Sequence, residues 1–148
     1  MKKKSKKPNK VVLELKRIAR DNGGFLQPET VVAEARPASS PLHSRFEWDN
    51  TAAGQQYRIW QARQLIRVTV ELLAGTKQVT EVFVSLPPAR ARESGGYRIM
   101  ADVLSDADMR SQMLADALAE LELFREKYRR LKELASVFAA IKRVRKKK

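Results

Sequence analysis

His43 is the chain's one histidine, and it stands four residues before Glu47 and six before Asp49. Positions four apart share a face of a helical turn, so an imidazole and a carboxylate placed there can exchange a proton or share a metal. One imidazole does not make a histidine-rich metal site, nor a Ser–His–Asp triad with its partners in evidence. The simpler role for His43 is a hydrogen bond to Glu47 or to a nearby backbone group that orders the turn. Asp106, Asp108 and Asp116 form a second acidic group, but the first two sit where a helix begins, and the helix dipole favours negative charge there. The absence of cysteine removes disulfides, thiolate ligands and cysteine nucleophiles together. Gly23-Gly24 and Gly95-Gly96 lack the lysine and hydroxyl that accompany a phosphate-binding loop. No catalytic, metal or cofactor-binding residue is therefore assigned. The chain reads as a binding protein, not an enzyme, with no cofactor and no small-molecule substrate.

Charge is the stronger signal. The 148 residues carry a net +13, with 30 basic side chains against 17 acidic ones. Lys2, Lys3, Lys4, Lys6, Lys7 and Lys10 put six charges at the N-terminus without an acid among them. Lys142, Arg143, Arg145, Lys146, Lys147 and Lys148 put six more at the other end, which leaves +1 on everything between. Lysine-rich arms suit phosphate backbones, because a point-charge contact to phosphate needs little fixed geometry. These twelve residues are the predicted nucleic-acid contacts. A DNA-reading domain would instead carry the basic excess on its folded face.

The elements that must present these ends follow from periodicity. Val12, Leu15, Ile18 and Ala19 recur at helical spacing before the stop Asn22-Gly23-Gly24. Pro28 suits the first position of a second helix, which runs through Val31, Val32 and Ala35 to Pro37. The pair has the outline of a helix-turn-helix, yet Glu29 and Glu34 against a lone Arg36 are poor chemistry for a major groove. Ser40 caps a turn in which Leu42 and Phe46 share a face. Asp49 or Asn50 caps a helix over residues 51–67, with Ala53, Tyr57, Trp60, Ile59, Ala62 and Ile66 as its buried face. Arg58, Arg63 and Arg67 lie toward other faces. Trp48, Tyr57 and Trp60 beside Arg45, Arg58 and Arg63 have the makings of a stacking surface for single strands, but helical aromatics at such spacing are expected in the core.

At Val68 the period changes to two. Val68, Val70 and Leu72, then Val82 and Val84, flank the turn at residues 74–77 and predict a β-hairpin. Residues 89–96 read as a polar loop and 97–100 as a third short strand. Ser105 then caps the longest element. Leu114, Ala117, Leu121, Phe124, Tyr128, Leu131, Ala135 and Phe138 repeat at alternating spacings of three and four, a heptad seam. No glycine or proline interrupts it, so one helix over residues 106–142 is expected, roughly 55 Å long. Leu114, Leu121, Phe124, Tyr128, Leu131 and Phe138 are its self-association candidates.

Several blocks carry a resemblance. Pro28-Glu29-Thr30-Val31-Val32-Ala33-Glu34-Ala35-Arg36, Ser40-Pro41-Leu42-His43, Phe46-Glu47-Trp48-Asp49 and Tyr57-Arg58 with Gln61-Ala62-Arg63-Gln64-Leu65-Ile66 resemble a group of short, largely uncharacterised proteins of bacteriophages and prophages. Residues 97–104, Arg125, Lys127-Tyr128 and Leu131-Lys132-Glu133-Leu134 are similar too. The resemblance spans most of residues 23–140 and leaves out both lysine-rich ends. It implies a phage setting, in which DNA and virion components are the abundant partners, and it transfers no catalytic residues.

The expected fold is α+β: N-terminal helices, a small antiparallel hairpin-based sheet and a long C-terminal amphipathic, heptad-like helix. Residues 1–10 form a basic disordered arm, 11–104 a small α+β body, 105–141 the long helix, packed on the body or self-associating, and 142–148 a basic tail. The expected function is sequence-tolerant nucleic-acid binding, to DNA more than RNA, as an accessory or architectural protein with a homo-oligomer through the C-terminal helix. The rival readings are a phage structural or assembly protein and a regulator binding a host protein. The N-terminal lysines precede no secretory apolar run and no stretch is long enough to span a bilayer, so the cytoplasm of a bacterial host or a phage particle is expected, without a membrane partner.

Overall fold

Asn9 starts helix α1 (Lys10–Asp21) by accepting a hydrogen bond from the Val11 amide at 3.0 Å. Val11, Val12, Leu15, Ile18 and Ala19 form its buried stripe. Its end is a Schellman turn: Gly24 N–H donates to the Ala19 carbonyl at 2.8 Å and Gly23 N–H to that of Arg20 at 3.2 Å. That turn needs a left-handed residue, and Gly23 has φ +65°. Strand β1 (Phe25–Leu26) follows, then helix α2 (Pro28–Ala35), which has proline in its first turn as expected and buries Val31, Val32 and Ala35. A 3₁₀ turn (His43–Arg45) leads to helix α3 (Ala52–Val68).

In this computed structural model residues 9–48, 50–72, 75–86 and 95–146 are described. The chain divides into two units, Met1–Ser105 and Asp106–Lys148. The architecture is α+β.

The sheet differs from the predicted single hairpin. Strands β2 (Val70–Leu72) and β3 (Val79–Glu81) pair antiparallel, with Leu72 opposite Val79 and Val70 opposite Glu81. Strand β4 (Phe83–Val84) leaves that ribbon and pairs with β5 (Tyr97–Ile99), which also pairs with β1, giving the order β1-β5-β4. Val82 is the crossover. Its N–H donates to the Thr69 carbonyl at 3.2 Å, and its own carbonyl accepts from Met100 N–H at 2.7 Å. One residue thus ties both sheets, and its side chain is buried with Leu15, Ile18, Leu26, Leu42, Ile66 and Ile99. The predicted third strand is β5. The loop expected over 89–96 lies outside the described residues up to position 94. Helix α4 (Met100–Ser105) closes the first unit by burying Val103.

The single long helix is corrected. Helix α5 (Ala107–Tyr128) ends near Arg129, Leu131 is extended (φ −81°, ψ 102°), a 3₁₀ turn (Lys132–Leu134) follows, and helix α6 (Ala135–Lys146) returns along α5. Phe124 and Phe138 lie 6.5 Å apart, centre to centre, and Arg145 reaches Glu122 at 3.5 Å. A straight helix would leave the whole apolar seam in water. Folding back covers part of it within the chain, and so short a connection costs little closure entropy. Two caps also shift. Asp106, not Ser105, caps α5 by accepting from Met109 N–H at 2.8 Å, and Thr51, not Asn50, caps α3 by accepting from Gly54 N–H at 3.0 Å. Asp49 lies outside the described residues.

Candidate nucleic-acid interface

The predicted C-terminal tail is helical over most of its length. Lys142, Arg143, Arg145 and Lys146 occupy the last turns of α6, all exposed, on a helix with no acidic residue. Helical continuation is favourable there because cations stabilise the negative end of the helix dipole. Facing them on α5 is Glu122, which pairs with Arg125 and with Arg145. Glu122, Arg125, Lys142, Arg145 and Lys146 line a shallow recess in which four cations meet one carboxylate. The Arg125 Nε–H in this recess is buried without a hydrogen-bond partner. Such a cluster offers a phosphate several N–H donors at once. Lys147 and Lys148 lie outside the described residues.

At the other end, Lys10 opens α1 and is exposed. A cation gains nothing from the positive end of a helix dipole. Lys2, Lys3, Lys4, Lys6 and Lys7 lie outside the described residues. Further along α1, Lys16 and Arg17 are engaged internally. Lys16 pairs with Glu71 at 2.8 Å, and Arg17 gathers Glu14, Asp21 and Glu34, each at 2.7 Å. The Arg17 hydrogen bond holds Glu14 below its usual pKa of 4.5, and Glu14 and Glu34 push the Arg17 guanidinium pKa further up. Glu34, on the second helix of the helix-turn-helix outline, is thereby occupied.

Helix α3 departs from the expected burial. Its buried residues are Gly54, Arg58, Ala62 and Ile66, four apart along one stripe. Arg58 is only 4% exposed, whereas Tyr57 and Trp60 are 48% and 53% exposed. The guanidinium of Arg58 donates to the Glu47 carbonyl at 3.2 Å and to Gln55 Oε1 at 3.1 Å, and it lies 5.5 Å from the centre of the Trp48 ring. Trp48 is packed with Arg36 at 5.6 Å and with the parallel His43 ring at 4.9 Å. His43 Nδ1 donates to the Ala35 carbonyl at 3.1 Å, the turn-ordering role expected of it. The Glu47 backbone is engaged elsewhere: its N–H donates to Gln61 Oε1 at 3.1 Å and its carbonyl accepts from Arg58. Arg36, His43, Trp48 and Arg58, all within the blocks quoted above, thus form one cluster.

This cluster explains why the core is rotated one residue along α3. A buried arginine is tolerable where a carbonyl, an amide and aromatic faces receive it. Seating Arg58 inward turns its neighbour Tyr57, and Trp60 with it, outward. The two rings stack on each other, 5.6 Å apart and 14° from parallel. Amphipathic periodicity alone ranks Tyr and Trp above Arg for burial, so it misses this face; the lack of any acid between residues 51 and 68 was the available clue.

The self-association residues divide. Phe124, Tyr128 and Phe138 meet within the hairpin, with Phe124 and Tyr128 rings 4.8 Å apart. Leu114, Leu121 and Leu131 remain exposed, as does Leu123. In Asp106–Lys148, Ile141 is the one buried apolar residue among those described. No described group of three or more His, Asp or Glu side chains converges as a metal site, and no helix of the described residues is long and apolar enough to cross a membrane. In comparisons with known proteins, no family model, no curated protein and no solved structure matches this chain.

Proposed function

We propose that this chain is a sequence-tolerant nucleic-acid-binding accessory or architectural protein that holds phosphates at its basic ends, with DNA as the preferred partner. The observation that carries the proposal is the C-terminal end of α6. Lys142, Arg143, Arg145 and Lys146 project from an acid-free helix, and three of them, Lys142, Arg145 and Lys146, line a recess with Arg125 and Glu122. The N-terminal lysines add a second set of contacts, and joining two weak phosphate-binding ends in one chain strengthens both. Nothing in this arrangement reads bases, because phosphate contacts carry no sequence information directly. A phage setting, as the resemblance implies, is part of the same proposal.

The test is fluorescence anisotropy on a labelled mixed-sequence duplex across a salt series. If about six phosphates are held, log affinity falls against log salt with a slope near −5. Replacing Lys142, Arg143, Arg145 and Lys146 by glutamine is expected to weaken binding and to flatten that slope by about 3 to 4. Unchanged affinity and slope in that variant would overturn the proposal.

A second reading, an assembly protein acting through the C-terminal unit, is favoured by one specific observation. Leu114, Leu121, Leu123 and Phe124 stay exposed on α5 even after α6 folds back. Apolar surface of that kind marks contact with another chain. Sedimentation of a Leu114→Glu, Leu121→Glu variant against the parent tests it: self-association in the parent that the variant loses supports this reading.

A further inference from the structure

Tyr57 and Trp60 are large rings that the fold leaves half in water, stacked on each other on the outer side of α3. The first unit does not lack sites for aromatic side chains, since it packs Phe46, Trp48 and Phe83 in or against its core. Helical spacing places Gln56, Arg63, Gln64 and Arg67 along the same stripe as the two rings. From Tyr57 to Arg67 that stripe is about 15 Å long at 1.5 Å per residue. No aspartate or glutamate occurs between residues 51 and 68, so nothing on α3 repels an anionic backbone. On α1, Lys16 and Arg17 are tied to Glu14, Asp21, Glu34 and Glu71.

From this juxtaposition we infer that the outer stripe of α3 is a stacking platform for unpaired bases, so the chain holds single-stranded nucleic acid on Tyr57 and Trp60 as well as phosphates at its ends. The inference rests on the reading of the chain as a nucleic-acid binder and adds the strand form that it prefers. Every base has a π-face, so stacking on an exposed ring is indifferent to sequence. Bases inside a duplex are already stacked and present no free face. Arg67, which is exposed, supplies the backbone-tracking charge that such platforms use. An apolar protein partner would meet two arginines and two amides on this stripe, whereas a polyanion is matched by them.

The experiment uses the full chain with two labelled probes, a 20-nucleotide oligo(dT) and a 20-base-pair mixed duplex. The variants are Tyr57→Ala with Trp60→Ala, and the ring-keeping pair Tyr57→Phe with Trp60→Phe. The alanine pair is expected to lose at least about tenfold in affinity for oligo(dT), at the low end of ring–base stacking. Its duplex affinity stays within about twofold, and the phenylalanine pair stays near the parent on both probes. Oligo(dT) is also expected to quench the parent's tryptophan emission, and Trp60→Phe to remove that quenching, a readout that does not depend on the alanine pair folding. Oligo(dT) affinity within about twofold in the alanine pair, with duplex binding intact, overturns this inference and leaves the phosphate reading standing. Quenching that persists in Trp60→Phe comes from Trp48 and overturns it too. If the alanine pair instead loses self-association while keeping its oligo(dT) affinity, the stripe is a protein contact and the inference fails. Absence of binding by the parent to either probe overturns both readings.

Discussion

The ring of His43 lies parallel to the indole of Trp48, 4.9 Å between centres and 12° between planes, while Trp48 Nε1–H donates to the carbonyl of His43 itself at 3.0 Å. Two residues five apart are thereby joined twice, by stacking and by a hydrogen bond. The turn between α2 and α3 becomes a fixed spacer. Arg36 from the end of α2 and Arg58 from α3 both reach the same indole, so the geometry of this one side chain sets how α3 is rotated on the core.

Truncating that indole should therefore cost more than its partial exposure suggests. Trp48→Ala is expected to destabilise the fold by about 2–4 kcal/mol, near the range for losing a packed aromatic. Trp48→Phe, which keeps a ring and loses only the hydrogen bond and some area, should cost about 1–2 kcal/mol. Denaturant unfolding measures both, and equal losses would show that the ring packing contributes nothing.

Gly96 sits where a side chain has no room. A Cβ built there runs into the ring of Phe25, which Arg98 covers on one face at 5.3 Å. Gly96→Ala is expected to destabilise by about 1–3 kcal/mol, the usual cost of overpacking. In a Phe25→Ala background the same change should cost little, so a double-mutant cycle isolates the clash.

Acid should weaken the ion pairing along α1. Arg17 stays charged throughout, and the carboxylate that titrates against it is Glu14. Glu14 is held below its usual 4.5 by the Arg17 hydrogen bond. A depressed carboxylate stabilises the folded state above its unfolded pKa, and that contribution disappears as pH falls through the lower folded value. Stability is expected to decline below about pH 4.5, and Glu14→Gln should flatten part of the decline. Because Arg17 is largely exposed, the effect is small.

The hairpin of α5 and α6 depends on few contacts. Phe138→Ala removes the ring that meets Phe124, and amide exchange over residues 135–146 is expected to accelerate strongly, because locally stable segments need buried apolar contact. Exchange at the parental rate would show that the α6 helix holds without its aromatic seam.

Much of this protein is local information. The twelve basic residues at the ends, the α1 stripe with its Gly23-Gly24 stop, Pro28 at the head of α2 and the change of period at Val68 are written in neighbouring side chains, and the α+β class follows from them. What tertiary structure alone decided lies in choices between near-equal local options. Arg58 or Tyr57 can face inward on α3 at similar helical propensity. The decision came from the Glu47 carbonyl and the Trp48 ring, eleven and ten residues away, which make a buried guanidinium affordable. Val82 continues a strand by its pattern, but the partner that captures its carbonyl is Met100, eighteen residues further along the chain. The seam from Leu114 to Phe138 reads the same whether a second helix or its own C-terminal half covers it. The chain's own half is always present at high effective concentration, so the helix folds back there, and α6 carries Lys142, Arg143, Arg145 and Lys146 with it.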